Sequence, residues 1–97
     1  MPTYVSLINW TDQGIKNYRD TVARADSFRD SVRQAGGQVR ELLWTLGEYD
    51  IVSVIEAPDD ETAIALLLQV AAVGNIRTRT MRAMNANEIT SVIGRTG

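Results

Sequence analysis

The clearest evidence for the fold lies in the central stretch VRELLWTLGEYDIVSVIEA, residues 39–57. Its two ends, Val39–Leu46 and Ile51–Ala57, are rich in β-branched and other large apolar residues, which is typical of strands. The segment between them, Gly47-Glu48-Tyr49-Asp50, is short and contains glycine. Two such strands joined by so short a turn are predicted to form a β-hairpin.

The chain before this hairpin predicts a strand followed by a helix. Thr3–Trp10 is rich in β-branched and aromatic residues and is predicted to be a strand with large apolar residues on both of its faces. Thr11 is a suitable helix N-cap, and Gly36-Gly37 is a suitable C-terminal stop. Between them, apolar residues recur at helical spacing, which predicts one long amphipathic helix. The members of this stripe are Ile15, Tyr18, Val22, Ala25, Val32 and Ala35, with Phe28 beside it.

The chain after the hairpin repeats this order. Pro58 stops the third strand, and Asp59 is the predicted N-cap of a helix that runs to about Val73. A fourth strand is predicted over Ile76–Met84 after the Gly74-Asn75 turn. Asn85 and Glu88 then have the spacing of a capping box, which predicts a short helix to about Ile93.

The predicted order is therefore β-α-β-β-α-β with a short C-terminal helix. With right-handed crossovers, this order folds most simply as a ferredoxin-like α+β sandwich. Four antiparallel strands form the sheet, and two helices cover one face. The 97 residues predict one domain over 1–97.

Composition excludes several kinds of chemistry. The chain has no Cys and no His, so thiolate catalysis, disulfides, a Ser-His-Asp triad and the commonest metal ligands are absent. No spacing of carboxylates indicates a metal site, and no cofactor is expected. Ten Lys and Arg against twelve Asp and Glu give a net charge of −2, which disfavours nucleic acid as a partner.

Neither a signal peptide nor a membrane span is indicated. The N-terminus lacks a basic segment followed by an apolar one. The longest apolar stretch, Ala63–Val73, is too short to cross a bilayer. We therefore expect a cytoplasmic protein without a membrane partner.

The strands carry more apolar surface than two helices can cover. If Trp10 faces the helices, then Val5 and Leu7 face away from them, as do Val52 and Val54; with the opposite assignment, the other set is uncovered. Soluble monomers rarely leave a large apolar patch in water, and burial of ~600 Å² is worth about 15 kcal/mol before association costs. We expect Val5, Leu7, Val52 and Val54 to form an interface with a second copy, most simply through a two-fold axis.

The second helix is apolar on nearly all sides, from Ala63 to Val73. Such a helix is buried on more than one side. Two explanations stay open: the C-terminal helix covers it, or it forms a further interface in an assembly larger than a dimer.

Four residues are candidates for ligand binding. Asn9 and Glu56 lie near strand ends on the predicted open face, and Tyr49 and Asp50 follow the hairpin glycine. A buried carboxylate there could act as a base or hold a ligand. The structural alternatives are an ion pair of Glu56 with an Arg, bonds of Asp50 to the backbone of its own turn, and packing of Tyr49 at the rim of the barrel.

Several motifs resemble the GYD domain family of small bacterial and archaeal proteins. They are WTLGEYD at 44–50, EAPDDE at 56–61, NWTDQG at 9–14 and GNIRT at 74–78, with Arg82-Ala83 later. The Gly, Tyr and Asp that name the family correspond to Gly47, Tyr49 and Asp50, and Glu48 lies between Gly47 and Tyr49 in the sequence. The likeness covers about residues 3–90. It implies a dimeric α+β barrel, akin to stress-response barrels, monooxygenase-like barrels and ligand-binding domains of some transcription regulators, and it implies no particular activity.

Three functions follow as hypotheses. The first is a homo-oligomeric binding or sensory module, with a small organic ligand between the sheet face and the partner subunit, near Asn9, Tyr49, Asp50 and Glu56. The second is a cofactor-independent monooxygenase-like or isomerase-like enzyme, in which Glu56 or Asp50 is the base. The third is a purely structural oligomer.

Overall fold

The computed structural model describes all 97 residues as four strands and four helices. A 3₁₀ turn over Tyr18–Asp20 separates the first two helices. The elements are β1 Thr3–Trp10, α1 Asp12–Lys16, α2 Thr21–Gln34, β2 Gln38–Trp44, β3 Ile51–Glu56, α3 Asp60–Ala72, β4 Ile76–Ala83 and α4 Ala86–Gly94.

The strands form one antiparallel sheet in the order β2-β3-β1-β4. β1 is central, and its Ser6 pairs with Ser53 of β3 on one side and Thr80 of β4 on the other. This order and the C-terminal helix confirm the predicted ferredoxin-like α+β fold.

The two faces of the sheet differ in burial. Tyr4, Ile8, Ile51 and Ile55 are buried, while the alternate residues of β1 and β3 are half-buried. The core joins Tyr4 and Ile55 to Ala57 and Ala63, with Phe28 and Val39 packed against it. The helices therefore cover the face that carries Tyr4 and Ile55. Val5, Leu7, Val52 and Val54 lie on the other face, called here the open face.

The predicted long first helix is interrupted, which corrects the sequence-based expectation. α1 ends at Lys16, and the backbone N–H of Asn17 caps it by bonding to Gln13 and Ile15 carbonyls. The Arg24 guanidinium donates to the carbonyl oxygens of Asn17 (2.8 Å) and Gly14 (3.4 Å). Side chains therefore satisfy carbonyl groups at this break. Ile15, Tyr18 and Val22 of the predicted stripe are exposed.

The other helix ends agree closely with the prediction. The Asp59 side chain accepts the backbone N–H of Thr62 at 2.8 Å, and Asn85 and Glu88 form both bonds of the capping box. Strand β2 ends at Trp44, two residues before the predicted end. The loop that follows is closed by a 2.8 Å bond from the Thr45 N–H to the Asp50 carbonyl.

The β1–α1 turn and the α3–β4 turn are joined by hydrogen bonds. The Thr11 N–H donates to the Asn75 carbonyl at 3.0 Å, and its hydroxyl donates to the Gly74 carbonyl at 2.5 Å. The Gln13 amide donates to the Val73 carbonyl and to Asn75 Oδ1. The NWTDQG and GNIRT motifs thus meet as a structural junction between distant parts of the chain.

A single copy leaves much apolar surface in water. Its accessible area is 6554 Å², whereas a compact monomer of this mass exposes about 5,500 Å². Only 12 of 97 residues are buried. On α4, Ile89, Val92 and Ile93 are exposed, and on α3 so are Ile64 and Leu68. The explanation that α4 covers this side of α3 is therefore wrong for the single copy. No helix is long and apolar enough to cross a membrane.

Candidate functional site

Asn9 and Asp50 are in contact at one end of the sheet. Asn9 Nδ2 donates to the Glu48 carbonyl at 2.8 Å and lies 3.4 Å from Asp50 Oδ2. The same carboxylate oxygen accepts the backbone N–H of Trp10 at 2.9 Å. These bonds hold the hairpin loop against the end of β1, whereas the structural alternative for Asp50 was a bond to the backbone of its own turn.

Tyr49 belongs to the same loop. It is half-buried, and its carbonyl oxygen accepts a 2.5 Å bond from the Thr45 hydroxyl. The loop therefore brings Tyr49 near Asp50 and Asn9, at the end of the sheet where β1 finishes and β3 begins.

Glu56 lies at the opposite end of the sheet, where it pairs in register with Thr3. Glu56 is six positions after Asp50, which is about 20 Å along a strand. Glu56 Oε1 accepts a 2.7 Å bond from Arg40 Nε, the ion pair that was its structural alternative. Three of the four candidate residues are thus brought together, and Glu56 is not with them. Ligand binding by these four residues stays a prediction.

An apolar cavity lies elsewhere, between the sheet and the two long helices. This cavity measures about 370 Å³ and is bounded by the helix-covered face, by α2 and by α3. Its walls include Phe28 of α2 and Leu66, Leu67 and Val70 of α3. α2 and α3 form its sides, and the central strands of the sheet form its floor.

Small hydroxyl side chains form the floor of this cavity. Ser6 and Ser53 are directly paired on the two central strands, and both are buried. Ser6 Oγ shares a 2.7 Å hydrogen bond with Thr80 Oγ1, which lies 3.3 Å from Thr78 Oγ1. Serine is much smaller than the isoleucines beside it, so the side chains at these two positions are short.

The cavity has one charged lining residue, Arg24. Two of its N–H groups donate to the Asn17 and Gly14 carbonyls, and a guanidinium has five N–H donors in all. None of the lining residues is Asp or Glu. Trp10 also lines the cavity, and its Nε1 is buried with no hydrogen-bond partner. The cavity is therefore apolar, with hydroxyls below and a positive charge to one side.

Sequence reasoning missed the cavity, although a signal for it exists. On each central strand, serine interrupts a row of large residues that face the helices: Tyr4, Ser6, Ile8 and Ile51, Ser53, Ile55. That pattern predicts a gap under the helices only when the strand register is known. The register pairs the two serines directly.

A second ionisable cluster joins β1, α3 and β4 away from the cavity. The Tyr4 hydroxyl donates to Asp60 Oδ1, and the Arg82 guanidinium lies over the Tyr4 ring at 5.8 Å. Burial, and then the hydrogen bond to Asp60, raises the pKa of Tyr4 from 10.0 to about 12. The phenol therefore stays neutral at physiological pH and serves as a donor.

The open face combines an apolar centre with charged edges. Leu43, Val52 and Leu7 form one row across three strands, and Arg79 of β4 ends that row. The next row runs from Glu41 through Val54 and Val5 to Met81. Glu41 on β2 and the arginines Arg77 and Arg79 on β4 therefore lie on opposite sides of an apolar strip.

A sequence model of the GYD domain family matches residues 4–93, nearly the whole chain. The chain belongs to the GYD domain family. A relative in Thermus thermophilus, named glutamine synthetase and cystathionine beta-lyase binding protein, is 32% identical over 85 residues. The match covers 87% of this chain and 90% of the relative.

Solved structures share the fold of this GYD domain. The feast or famine regulatory protein of M. tuberculosis, complexed with L-methionine, is similar with a TM-score of 0.67 and 19% identity. That match covers 89% of this chain but 52% of the regulatory protein, so the chain spans about half its length. A protein of Thermus thermophilus is similar with a TM-score of 0.57 and 23% identity, covering 89% of this chain and 96% of that one.

Proposed function

We propose that this GYD protein is a homo-oligomeric, small-molecule-binding module whose subunits pack their open faces together. The observation that carries the proposal is the apolar strip on a sheet that no helix covers. Val5, Leu7, Val52 and Val54 are half-buried within one copy, and Leu43 and Met81 beside them are 54% and 49% exposed. A second copy would remove this surface from water.

The available area is adequate for a stable contact. Four strands at the usual spacing present a face about 19 Å wide and about 20 Å long, or about 400 Å² in plan. A standard interface buries about 800 Å² of accessible surface on each partner. Because side chains project from the sheet, the accessible area of this face is larger than its flat outline. The exposed apolar residues of α4 extend the surface that a partner can cover.

The charges favour one way of stacking the sheets. A two-fold axis parallel to the strands lays β2 of one copy over β4 of its partner. Glu41 of each copy then faces the Arg77 and Arg79 edge of the other, so that opposite charges flank the apolar strip. An axis across the strands would instead stack like-charged edges.

Small-molecule binding is supported by the cavity under the helices, whose size and lining match ligand sites in general. A regulatory protein of the same fold was solved with L-methionine, which agrees with such a role. The enzyme hypothesis takes Glu56 or Asp50 as its base, and neither residue lines this cavity. A ligand beside Asn9, Tyr49 and Asp50, between subunits, is the other location that the proposal allows.

A second candidate is a role in binding other proteins. The Thermus relative carries the name of a protein that binds two enzymes, and α3 and α4 here present apolar residues that the chain leaves uncovered. Surface plasmon resonance against purified glutamine synthetase and cystathionine beta-lyase tests it. Binding that is lost on Ile64→Glu and kept on Asp26→Lys would support the second role.

Native mass spectrometry after incubation with a metabolite mixture tests the main proposal directly. We expect an oligomer that retains a small molecule, with a defined stoichiometry per subunit. A bare assembly after incubation with a broad mixture would contradict small-molecule binding. A bare single subunit would contradict both halves of the proposal.

A further inference from the structure

We infer that the cavity between the sheet, α2 and α3 binds a small organic molecule with an apolar body and one carboxylate, which Arg24 anchors. The inference rests on the proposed small-molecule function and adds a place and a chemical class of ligand. It assigns the site to the helix-covered side of the sheet, inside each subunit.

The shape and lining of the cavity suit an apolar body. Its volume of about 370 Å³ is within the usual range for ligand pockets, and 11 of its 20 lining residues are hydrophobic. Phe28 faces it from α2, and Leu66, Leu67 and Val70 face it from α3. A flat or branched hydrocarbon body can replace water against these side chains, which is favourable in proportion to the apolar area buried.

The floor of the cavity adds a few polar hydroxyl groups. Ser6 is already bonded to Thr80, so its hydroxyl is held in place, and Ser53 lies directly opposite it in register. Both serines are almost fully buried, so they contribute hydroxyl groups at the base of the cavity rather than open surface.

The charge of the lining selects an anion. Arg24 keeps unused N–H donors after its bonds to Asn17 and Gly14, and it forms no ion pair. A carboxylate accepts paired N–H bonds from a guanidinium. With no acidic side chain in the lining, an ammonium group would be buried without a counter-charge. The site should therefore prefer a simple carboxylate over the matching amino acid.

Three probes with one hydrocarbon body test this preference. Isothermal titration calorimetry would compare 1-naphthylacetate, the neutral 2-(1-naphthyl)ethanol and the zwitterion 3-(1-naphthyl)alanine. We expect the carboxylate to bind about tenfold or more tightly than either analogue, since hydrogen bonds to charged groups are worth that factor. If the alcohol binds as tightly as the carboxylate, the negative charge of the ligand does not contribute to binding, and the preference for an anion is overturned.

Matched variants locate the site. Arg24→Gln should weaken the carboxylate about tenfold, whereas Arg29→Gln removes the same charge from α2 outside the cavity and should leave binding unchanged. Arg24 also donates to two backbone carbonyls, so Arg24→Lys serves as a variant that keeps the charge. Its affinity for the carboxylate should lie between those of wild type and Arg24→Gln. Ser53→Leu places a bulkier side chain at the floor, so binding should fall, and circular dichroism checks that the variant is folded.

The outcomes separate the inference from the proposed function. If Ser53→Leu is folded and binds the probe as wild type does, the cavity is not the site, and small-molecule binding elsewhere stands. If no probe binds but the metabolite mixture yields a bound neutral or cationic compound, the ligand class is wrong. If neither experiment yields a bound molecule, the inference and the proposed function both fail.

Discussion

Gly14 and Asn75 approach so closely that a Cβ on Gly14 would lie 1.9 Å from the Asn75 carbonyl oxygen. The contact places the start of α1 directly on the turn that ends α3. Thr11 and Gln13 reinforce it with hydrogen bonds to Gly74, Val73 and Asn75. Trp10, Val73 and Asn75 also line the cavity, so this junction fixes one end of the candidate ligand site.

Replacing Gly14 with Ala should destabilise the protein by about 1–3 kcal/mol, because a methyl group has no room against a backbone carbonyl. Gly94 of α4 is the matched control, since no atom lies within 4 Å of a Cβ placed there. Urea denaturation followed by circular dichroism measures both. Equal urea midpoints for Gly14→Ala and Gly94→Ala would contradict the prediction, because they would show that the junction accommodates a methyl group without loss of stability.

The neutral Tyr4 phenol predicts a loss of stability at high pH. Its pKa is raised from 10.0 to about 12 in the folded state, by burial and by the bond to Asp60. The unfolded chain therefore loses the proton first as pH rises. The stabilisation from this shift is complete below pH 10 and is lost as pH rises to about 12.

Tyr4→Phe should remove that part of the pH dependence, and exposed Tyr18→Phe should not. The measurement is the free energy of unfolding between about pH 8 and about pH 12 for the three proteins. Parallel curves for wild type and Tyr4→Phe would contradict a raised pKa at Tyr4.

The charged edges of the open face predict how the subunits stack. Glu41→Arg should weaken the dimer several-fold, because it places like charges across both symmetry-related contacts, and Arg79→Glu should do the same. The double variant restores opposite charges and should recover most of the affinity. Sedimentation equilibrium at low salt measures all three. Additive losses in the double variant would mean that β2 does not lie over the partner's β4.

The sequence predicted those parts of the fold that depend on local chemistry. Asp59 and Asn85 cap their helices as expected, because a side-chain acceptor before a helical run is a local signal. Positive φ angles of 87° at Gly36 and 93° at Gly74 fall just past the ends of α2 and α3, as the glycine stops predicted. Alternation along β1 and β3 likewise separated the two faces correctly.

The features that were missed depend on residues far apart in the chain. The first helix breaks at Asn17, where Arg24 bonds to the exposed carbonyls and Gly14 packs on Asn75, and periodicity carries no information about either contact. The cavity arises because Ser6 and Ser53 pair across two strands. Glu56 and Asp50 were grouped as one site, but the length of β3 separates them.

The central claim is that a second copy covers the open face, and sedimentation velocity of Leu7→Glu tests it most directly. Leu46→Glu is the control, because Leu46 is fully exposed in the hairpin loop, away from the sheet. At micromolar concentration we expect a dimer or larger species for wild type and Leu46→Glu, and a folded single subunit for Leu7→Glu. A folded single subunit for wild type, or an unchanged mass for Leu7→Glu, would contradict the claim.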